Sequence, residues 1–223
     1  SRFTDGLILI NTRSCTTEDA NEALAELQAA QIKFVMINSY YGDAPINYVG
    51  SDDAAIGTAA AEYLAERGHT RIGFLSGLST LPAHHHLVKG FRHGLAGHGL
   101  TLNPERIGCT QYDIGQAFAI LDRWFRVKRN RPTAIFTTDD EILVYLYDYA
   151  EERGISLPQD LAVLSRGNSI SGDHLRPKPT TLAIPTFRMG EVATDLLIDS
   201  IEKTETLPQR ILLPYELIRG TTA

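Results

Sequence analysis

The sequence lacks most features that would tie it to a disulfide framework, a membrane or a nucleic-acid backbone. Its 223 residues include two cysteines, too few for such a framework, which favours reduced thiols in a cytoplasm. No apolar run approaches the roughly 20 residues of a membrane-spanning helix, and the opening residues do not resemble a signal peptide. The net charge of −6 argues against a surface built to neutralise phosphates. These absences predict a cytoplasmic protein without membrane attachment.

The sequence patterns of several enzyme classes are also missing. There is no GxSxG nucleophile elbow, no GxxxxGK[ST] phosphate loop and no GxGxxG turn. The cluster His84–His86 favours a loop or a helix start, with a ligand-pocket role as the alternative, because adjacent side chains cannot all face one metal ion. Asp139 and Asp140 could form an acid–base pair, but carboxylates at a helix start more often interact with the helix dipole. We therefore expect no catalytic residue, no metal and no cofactor.

What the chain does contain is a regular alternation of strands and helices. Its clearest unit runs from Asp52 to Gly77, where a helix with an apolar stripe precedes the buried strand RIGFL. Further strands are predicted at residues 7–10, 34–37, 48–50, 107–112, 134–136, 162–164 and 211–213. Further helices are predicted at residues 17–30, 83–95, 116–127, 141–153 and 188–203. This alternation predicts an α/β fold in which a parallel sheet carries helices on both faces.

Polar residues follow most of the predicted strands. Ligands of parallel α/β sheets bind beyond the carboxyl ends of the strands, and the residues there carry hydroxyls, amides and carboxylates. Such groups suit a small polar molecule. Arg166, which follows a buried strand, could either bind an anion or form a surface ion pair.

Six segments, in this order, resemble one known family: GHTRIGFLSG, KGFRHGL, RPTAIFTTDD, GISLPQDLAVLS, PTTLAIPTFRMGEVATDLL and LLPYELIRGTTA. The whole chain resembles the ligand-binding region of the lactose/galactose repressor (LacI/GalR) family of bacterial transcription regulators. The resemblance implies two doubly wound parallel-sheet lobes, similar to type I periplasmic binding proteins. It places residues 1–50 and 184–207 in the N-terminal lobe and residues 51–183 and 208–223 in the C-terminal lobe. It also implies a sugar-like effector bound in the cleft between the lobes, whose closure controls operator DNA binding by a headpiece.

The chain departs from the family pattern at its start. The DNA-binding headpiece and the first β-α-β segment of family members are not present, so the N-terminal lobe is expected to be incomplete and to expose unpaired strand edges. We therefore expect upstream sequence in the native protein.

The effector site departs as well. Leu87 stands where family members usually have an arginine that binds the ligand, and Gly167 stands where an aspartate is frequent. Losing a charge-assisted hydrogen bond costs roughly 1.5–3 kcal/mol. Either other side chains replace these groups, or the ligand differs, or the response to a small molecule is reduced. By analogy with the family, the predicted ligand contacts are Asn38, Tyr112 and Asp139. The candidate replacement donors are His86, Arg166 and Asn168, and Asp52 is predicted from its place after a strand.

The helix that reads EILVYLYDYAEER suggests one further contact. It is apolar around almost its full circumference, so it needs cover on two sides. Its own sheet covers one side, and either a neighbouring element or a second subunit covers the other. A twofold homodimer suits a repressor, because two headpieces must reach two operator half-sites. The predicted interface comprises Leu143, Val144 and Tyr147.

Two other functional classes share this fold. A solute-binding protein of a transporter is the alternative, but it would need an export signal, and the closing LPYELIRGTTA is similar to that of the regulators. An enzyme is the third class, and the predicted cleft has no recognisable pair of nucleophile and base.

Overall fold

The computed structural model describes residues 4–10, 17–38, 45–167, 172, 174–203 and 207–223, with side chains from residue 22 onward in the first helix. The chain forms two compact units. Unit 1 comprises residues 1–52 and 185–214, and unit 2 comprises residues 53–184 and 215–223. Within the described residues, no helix combines the length and apolarity needed to cross a membrane.

Strands and helices alternate as predicted, which confirms the α/β fold. The strands are β1 Gly6–Ile10, β2 Lys33–Ile37, β3 Asn47–Ser51, β4 Ile72–Ser76, β5 Ile107–Cys109, β6 Ala134–Thr137, β7 Ala162–Gly167, β8 Thr180–Ala183, β9 Arg210–Leu213 and β10 Glu216–Ile218. The helices are α1 Thr17–Ala29, α2 Asp53–Glu66, α3 Pro82–Gly97, α4 Ile114–Phe125, α5 Asp140–Arg153 and α6 Thr186–Glu202, with short 3₁₀ helices at Pro104–Arg106 and Lys128–Asn130.

Unit 1 contains a parallel sheet with the order β1-β2-β3-β9. Leu24 of α1 packs with Phe34 and Met36 of β2, while α6 contacts β1, β2 and β3. The predicted boundary assigned residues 208–223 to the other lobe. The structure instead places β9 in unit 1, because its backbone pairs with β3, and only residues 215–223 lie in unit 2.

Unit 2 contains a larger sheet with the order β10-β8-β7-β6-β4-β5. Every pairing is parallel except that of β10 with β8. Strands β8 and β10 were not predicted, because they have only four and three residues and because β8 begins within the proline-rich RPKPTT. The predicted parallel sheet is therefore mixed at this edge.

Alternate residues of the strands in unit 2 bury opposite faces of the sheet, as the period of two in a strand requires. On one face, Phe74 and Phe136 pack with Phe91 of α3, with ring centroids 5.4 and 5.5 Å from that of Phe91. On the other face, Leu75 and Ile135 pack in a cluster with residues of α4 and α5. The sheet is thus covered on both sides, which confirms the doubly wound arrangement in this unit.

Helix α5 is covered mainly by its own chain. Leu143 is fully buried, and Tyr147 is 8% exposed and donates a hydrogen bond from its hydroxyl to the Pro177 carbonyl at 2.7 Å. Of the two alternatives, a neighbouring element of the same chain therefore covers these two side chains. Of the three residues predicted for the interface, Val144 alone is half-buried rather than buried.

Helices α2 and α3 approach each other closely through glycines. A Cβ added at Gly90 would lie 1.9 Å from the Ala54 carbonyl oxygen, so no larger residue fits without movement of the backbone. The Thr58 hydroxyl lies within hydrogen-bond distance of the carbonyls of Ala54 and Gly90, at 2.9 and 3.1 Å. This contact fixes the two helices that cover one face of the sheet.

We expect Gly90→Ala to lower the free energy of unfolding by about 1–3 kcal/mol, because the methyl group would force the helices apart. The matched control is Gly97→Ala at the end of the same helix, where a Cβ meets no atom within 4 Å. The control should be neutral or up to about 1 kcal/mol more stable, through the helix propensity of alanine. Urea unfolding compares the two variants, and coinciding midpoints would contradict the close packing.

Candidate functional site

The carboxyl ends of the central strands in unit 2 carry buried hydroxyl groups. These groups belong to Ser76, Thr110 and Thr137, at or just after the ends of β4, β5 and β6, and to Ser165 of β7, which pairs with Thr137. All four residues are at most 1% exposed. Because the four strands are parallel, these groups lie along one edge of the sheet, which we call the carboxyl edge.

Two of these hydroxyls have no hydrogen-bond partner in the part of the chain that the structure describes. The Oγ1 of Thr137 and the Oγ of Ser165 are buried without a hydrogen bond to the described residues, and the two residues are register partners in β6 and β7. An unsatisfied buried hydroxyl costs about 1–3 kcal/mol, and valine or alanine would avoid that cost. Polar groups kept at such a cost are typical of a functional edge rather than of a packed core.

Tyr112 and Asp139 join the ends of β5 and β6. Gln111 and Tyr112 both adopt a left-handed backbone, with φ of 54° and 57°, so the predicted strand 107–112 ends at Cys109. This turn lays the Tyr112 ring against Gly77, where a Cβ would lie 2.2 Å from the ring. The Tyr112 hydroxyl donates to Asp139 Oδ2 at 3.0 Å.

Asp139 also caps helix α5. Its Oδ1 accepts hydrogen bonds from the backbone N–H groups of Glu141 and Ile142, each at 3.1 Å. Asp139 is thus the N-cap residue, because its extended backbone brings its carboxylate over the helix start. The helix-dipole interpretation of this carboxylate is the one that the geometry supports.

Asp140 lies against the end of β7, a position that the sequence analysis missed. Gly167 has a φ of 154°, and a Cβ there would lie 2.5 Å from both carboxylate oxygens of Asp140. The carboxylate of Asp140 thus occupies the space beside Gly167, where the family resemblance implied an aspartate side chain. The sequence shows the Asp139-Asp140 pair, but only the folded structure shows that Asp140 lies beside Gly167.

Arg166 was predicted either to bind an anion or to form a surface ion pair. It forms an ion pair, but this pair is buried. Its Nη2 lies 2.8 Å from Asp53 Oδ1, and the two residues are 7% and 8% exposed. Its Nη1 also donates to the Thr138 carbonyl at 3.4 Å. The guanidinium therefore links the end of β7 to the start of α2 and to the β6–α5 turn.

Of the histidine cluster, His84 and not His86 contacts the strand ends. His84 Nδ1 lies 2.9 Å from Ser76 Oγ, whereas the His86 side chain is exposed. Burial, and then the nearby His85, lower the pKa of His84, so its ring is neutral at pH 7. Ser76 is 1% exposed, so this pair of side chains does not present an accessible nucleophile. Leu87 is 1% exposed and belongs to the apolar core instead of the carboxyl edge.

The remaining predicted contacts do not belong to this edge of unit 2. Asn38 follows β2 of unit 1 with a φ of 66°, and its Oδ1 is buried without a hydrogen bond to the described residues. Asp52 follows β3 of unit 1 and is exposed. Asn168 lies outside the described residues. Within the part of the chain that the structure describes, no group of three metal-binding side chains comes together.

The geometry of the carboxyl edge fits hydrogen bonding better than bond making. It offers fixed hydroxyl and carboxylate groups, and the cationic side chain of Arg166 is already matched by Asp53. Such an arrangement binds and orients a hydroxyl-rich molecule.

Comparison with known proteins places the chain in a family. A family model described as the periplasmic binding protein-like domain matches residues 61–223. The chain is 30% identical over 218 residues to the HTH-type transcriptional regulator DegA of Bacillus subtilis, an alignment that covers 96% of this chain and 62% of DegA. It is 31% identical over 201 residues to the arabinose metabolism transcriptional repressor of Halalkalibacterium halodurans, covering 89% and 53% of the two chains. The chain thus spans less than two thirds of these relatives.

Solved structures agree with this match. The complex of the transcriptional regulator CelR with cellobiose aligns with a TM-score of 0.85 and 26% identity, covering 99% of this chain and 66% of CelR. These relatives do not favour the solute-binding alternative, and they are regulators rather than enzymes. The chain belongs to the family of periplasmic binding protein-like domains, and its relatives include transcriptional regulators, as the sequence motifs predicted.

Proposed function

We propose that this chain is the ligand-sensing and dimerising region of a LacI-type transcriptional regulator and that it binds a small sugar-like molecule. The observation that carries the proposal is the carboxyl edge of unit 2, where Tyr112, Asp139 and Asp140 are held in place by contacts within the chain. A prearranged set of hydroxyl and carboxylate groups binds a polyol without an ordering cost.

The chemistry of this edge favours a neutral ligand. Asp139 and Asp140 contribute negative charge, and the nearest arginine, Arg166, is paired with Asp53. Carboxylates accept hydrogen bonds from sugar hydroxyls but repel an anion. The relatives named for arabinose and for a cellobiose complex support a sugar.

Individual residues have different roles in this proposal. Tyr112 and Asp140 contact the ligand, with His84 replacing His86 as the nearest histidine. Asp139 holds Tyr112 and the start of α5, and Arg166 holds the turn beside it. Asn38 and Asp52, at strand ends of unit 1, and Asn168 remain predicted ligand contacts.

The native regulator would act on operator DNA through a headpiece outside this chain. Two relatives of this chain, DegA and the arabinose metabolism repressor, are named as transcriptional regulators, which supports this part of the proposal. Such a protein works in the cytoplasm, where its operator lies. Ligand binding would change the affinity for DNA through a change in conformation.

A homodimer fits this role, because a twofold operator presents two half-sites. Two apolar side chains on the packed pair α4 and α5 support an interface there. Ile114 is 46% exposed and Val144 is half-buried. The proposed contact is thus smaller than the sequence indicated, since Leu143 and Tyr147 are buried within the chain.

We expect at least one neutral sugar among cellobiose, L-arabinose and D-ribose to raise the melting temperature. Binding at a hundred times the Kd adds about 2.7 kcal/mol, which for a chain of this length corresponds to roughly 5–10 °C. Thermal-shift measurements against these sugars, with gluconate and adenine as comparison ligands, test this. A shift with gluconate alone, or no shift with any sugar, would contradict the proposed ligand class.

We expect Tyr112→Phe to reduce the sugar-dependent shift by about half, because one lost hydrogen bond weakens binding about tenfold. The melting temperature of the free chain should fall only slightly. The variant loses one hydrogen bond, worth about 1 kcal/mol to folding, and one hydroxyl of the site. The matched control is Tyr149→Phe, whose hydroxyl donates to Asp122 Oδ1 at 3.0 Å, on the far half of α5. An undiminished sugar shift in Tyr112→Phe would exclude this hydroxyl from binding.

We expect the purified chain to have a mass in solution of about twice 24.6 kDa at micromolar concentration. A charge at the proposed contact, in Val144→Asp, should shift the protein toward the monomer. Val127→Asp, at a 43% exposed position, is the control and should not. Light scattering after size exclusion measures all three masses, and a strictly monomeric unmodified chain would rule out the dimer.

A further inference from the structure

A second concave surface of unit 2 lies at the opposite end of the strands. This open cleft has a volume of about 710 Å³ and includes Ile107, the first residue of β5, in its lining. We call it the basic cleft. Its lining residues are Asn103, Pro104, Glu105, Arg106, Ile107, Arg123, Trp124, Arg126, Val127 and Asn130.

Hydrogen bonds between its two walls hold the basic cleft in shape. The indole N–H of Trp124 donates to the Glu105 carbonyl at 2.7 Å. Across the cleft, Arg106 Nη2 donates to the Asn130 carbonyl at 3.2 Å. These two hydrogen bonds join the 3₁₀ segment 104–106 to the end of α4 and to the 3₁₀ helix that follows it.

Positive charge is concentrated around this cleft. Residues 123–131 contain five lysines and arginines and no acidic residue, in a chain whose net charge is −6. Arg106, Arg123 and Arg126 line the cleft, against the single carboxylate of Glu105. None of these three arginines takes part in a salt bridge with the residues that the structure describes.

Arg106 is held beside another cation. Burial, and then the charge of Arg71, lower its pKa, against a smaller opposing effect of Glu105. Like charges that lie close together and are only partly offset by the one carboxylate of Glu105 favour the binding of an external anion.

The helix dipole explains only part of this charge. Cations near the end of α4 stabilise a partial charge of about half a unit. One cation, such as Arg123 in the last turn, meets that need. The segment 124–131 contains four further basic residues, which is more positive charge than the helix dipole needs. Three of them lie in the 3₁₀ helix after α4 or directly follow it.

We propose that the basic cleft binds a small molecule with two or more phosphate groups, at a site separate from the carboxyl edge. Its volume lies within the range of about 300–1,000 Å³ that small-molecule sites occupy. Guanidinium groups bind phosphate oxygens with paired, charge-assisted hydrogen bonds. Trp124 is 5% exposed, so it offers little surface for stacking, and the phosphate groups carry the recognition.

A small ligand fits better than an acidic macromolecule. The three arginines line a concave cleft rather than a flat or convex face, and the cleft walls are fixed to each other. The site is also separate from the sugar site, because its lining contains none of the residues assigned to the carboxyl edge. Failure of one proposal therefore leaves the other intact.

Trp124, the single tryptophan of the chain, reports on the cleft directly. The experiment titrates the whole chain with inorganic pyrophosphate at constant ionic strength and follows tryptophan emission, with calorimetry in parallel. We expect saturable binding by at least one of the two methods, and about tenfold weaker binding for Arg123→Gln and for Arg126→Gln. Both side chains are exposed, so the variants should fold normally. The control Arg188→Gln removes a cation of unit 1 that is paired with Glu191.

The outcomes separate the possibilities. Tighter binding of ATP than of pyrophosphate would support a nucleotide, and equal binding would support recognition of phosphates alone. No saturable response to pyrophosphate in either method would overturn the proposal. So would unchanged affinity in the double variant of Arg123 and Arg126, or binding of heparin without binding of pyrophosphate, which would indicate macromolecular docking.

Discussion

The buried ion pair between Arg166 and Asp53 is the interaction on which the rest of the carboxyl edge depends. It joins the end of β7 to the first residue of α2, and a further hydrogen bond joins it to Thr138 in the β6–α5 turn. Burying one charge without the other costs about 3–5 kcal/mol, so the two residues stabilise the fold only together. Asp53 also lies at a helix N-terminus, where a negative charge is favoured. Three segments that are distant in sequence are thereby held at fixed positions beside Asp139 and Asp140.

In unit 2, the residues that stabilise the sheet are different from those of the proposed ligand site. Apolar packing on both faces of the sheet, through residues such as Phe74 and Ile135, stabilises the middle of the strands. The strand ends instead carry buried hydroxyls, two of them unsatisfied by the described residues, and a strained turn at Tyr112. These features cost stability locally and leave polar groups in fixed positions. The basic cleft has the opposite charge and lies at the other end of the strands, so one sheet carries two surfaces of different chemistry.

The sequence predicted the α/β alternation, the family and the edge that carries the polar groups, because these depend on patterns within short segments. It failed where the outcome depends on contacts between distant segments. The short strands β8 and β10 are stabilised by their partners and not by their own composition, and β9 joins unit 1 only through its pairing with β3. The sequence did not show what covers Leu143 and Tyr147, because the residues that pack on them come from distant parts of the chain. Asp140 was missed because its nearness to Gly167 follows from the fold, and the net charge of −6 concealed the local excess of arginine.

The central claim is that a sugar binds at the carboxyl edge of unit 2. Hydrogen exchange followed by mass spectrometry, with and without a saturating concentration of the sugar that stabilises the chain most, tests it directly. The account predicts slower exchange in residues 110–113, 137–142 and 165–167, since these backbone segments carry Tyr112, Asp139, Asp140 and Gly167. Protection that leaves these segments unchanged and appears instead around residues 103–106 and 123–130 would contradict it.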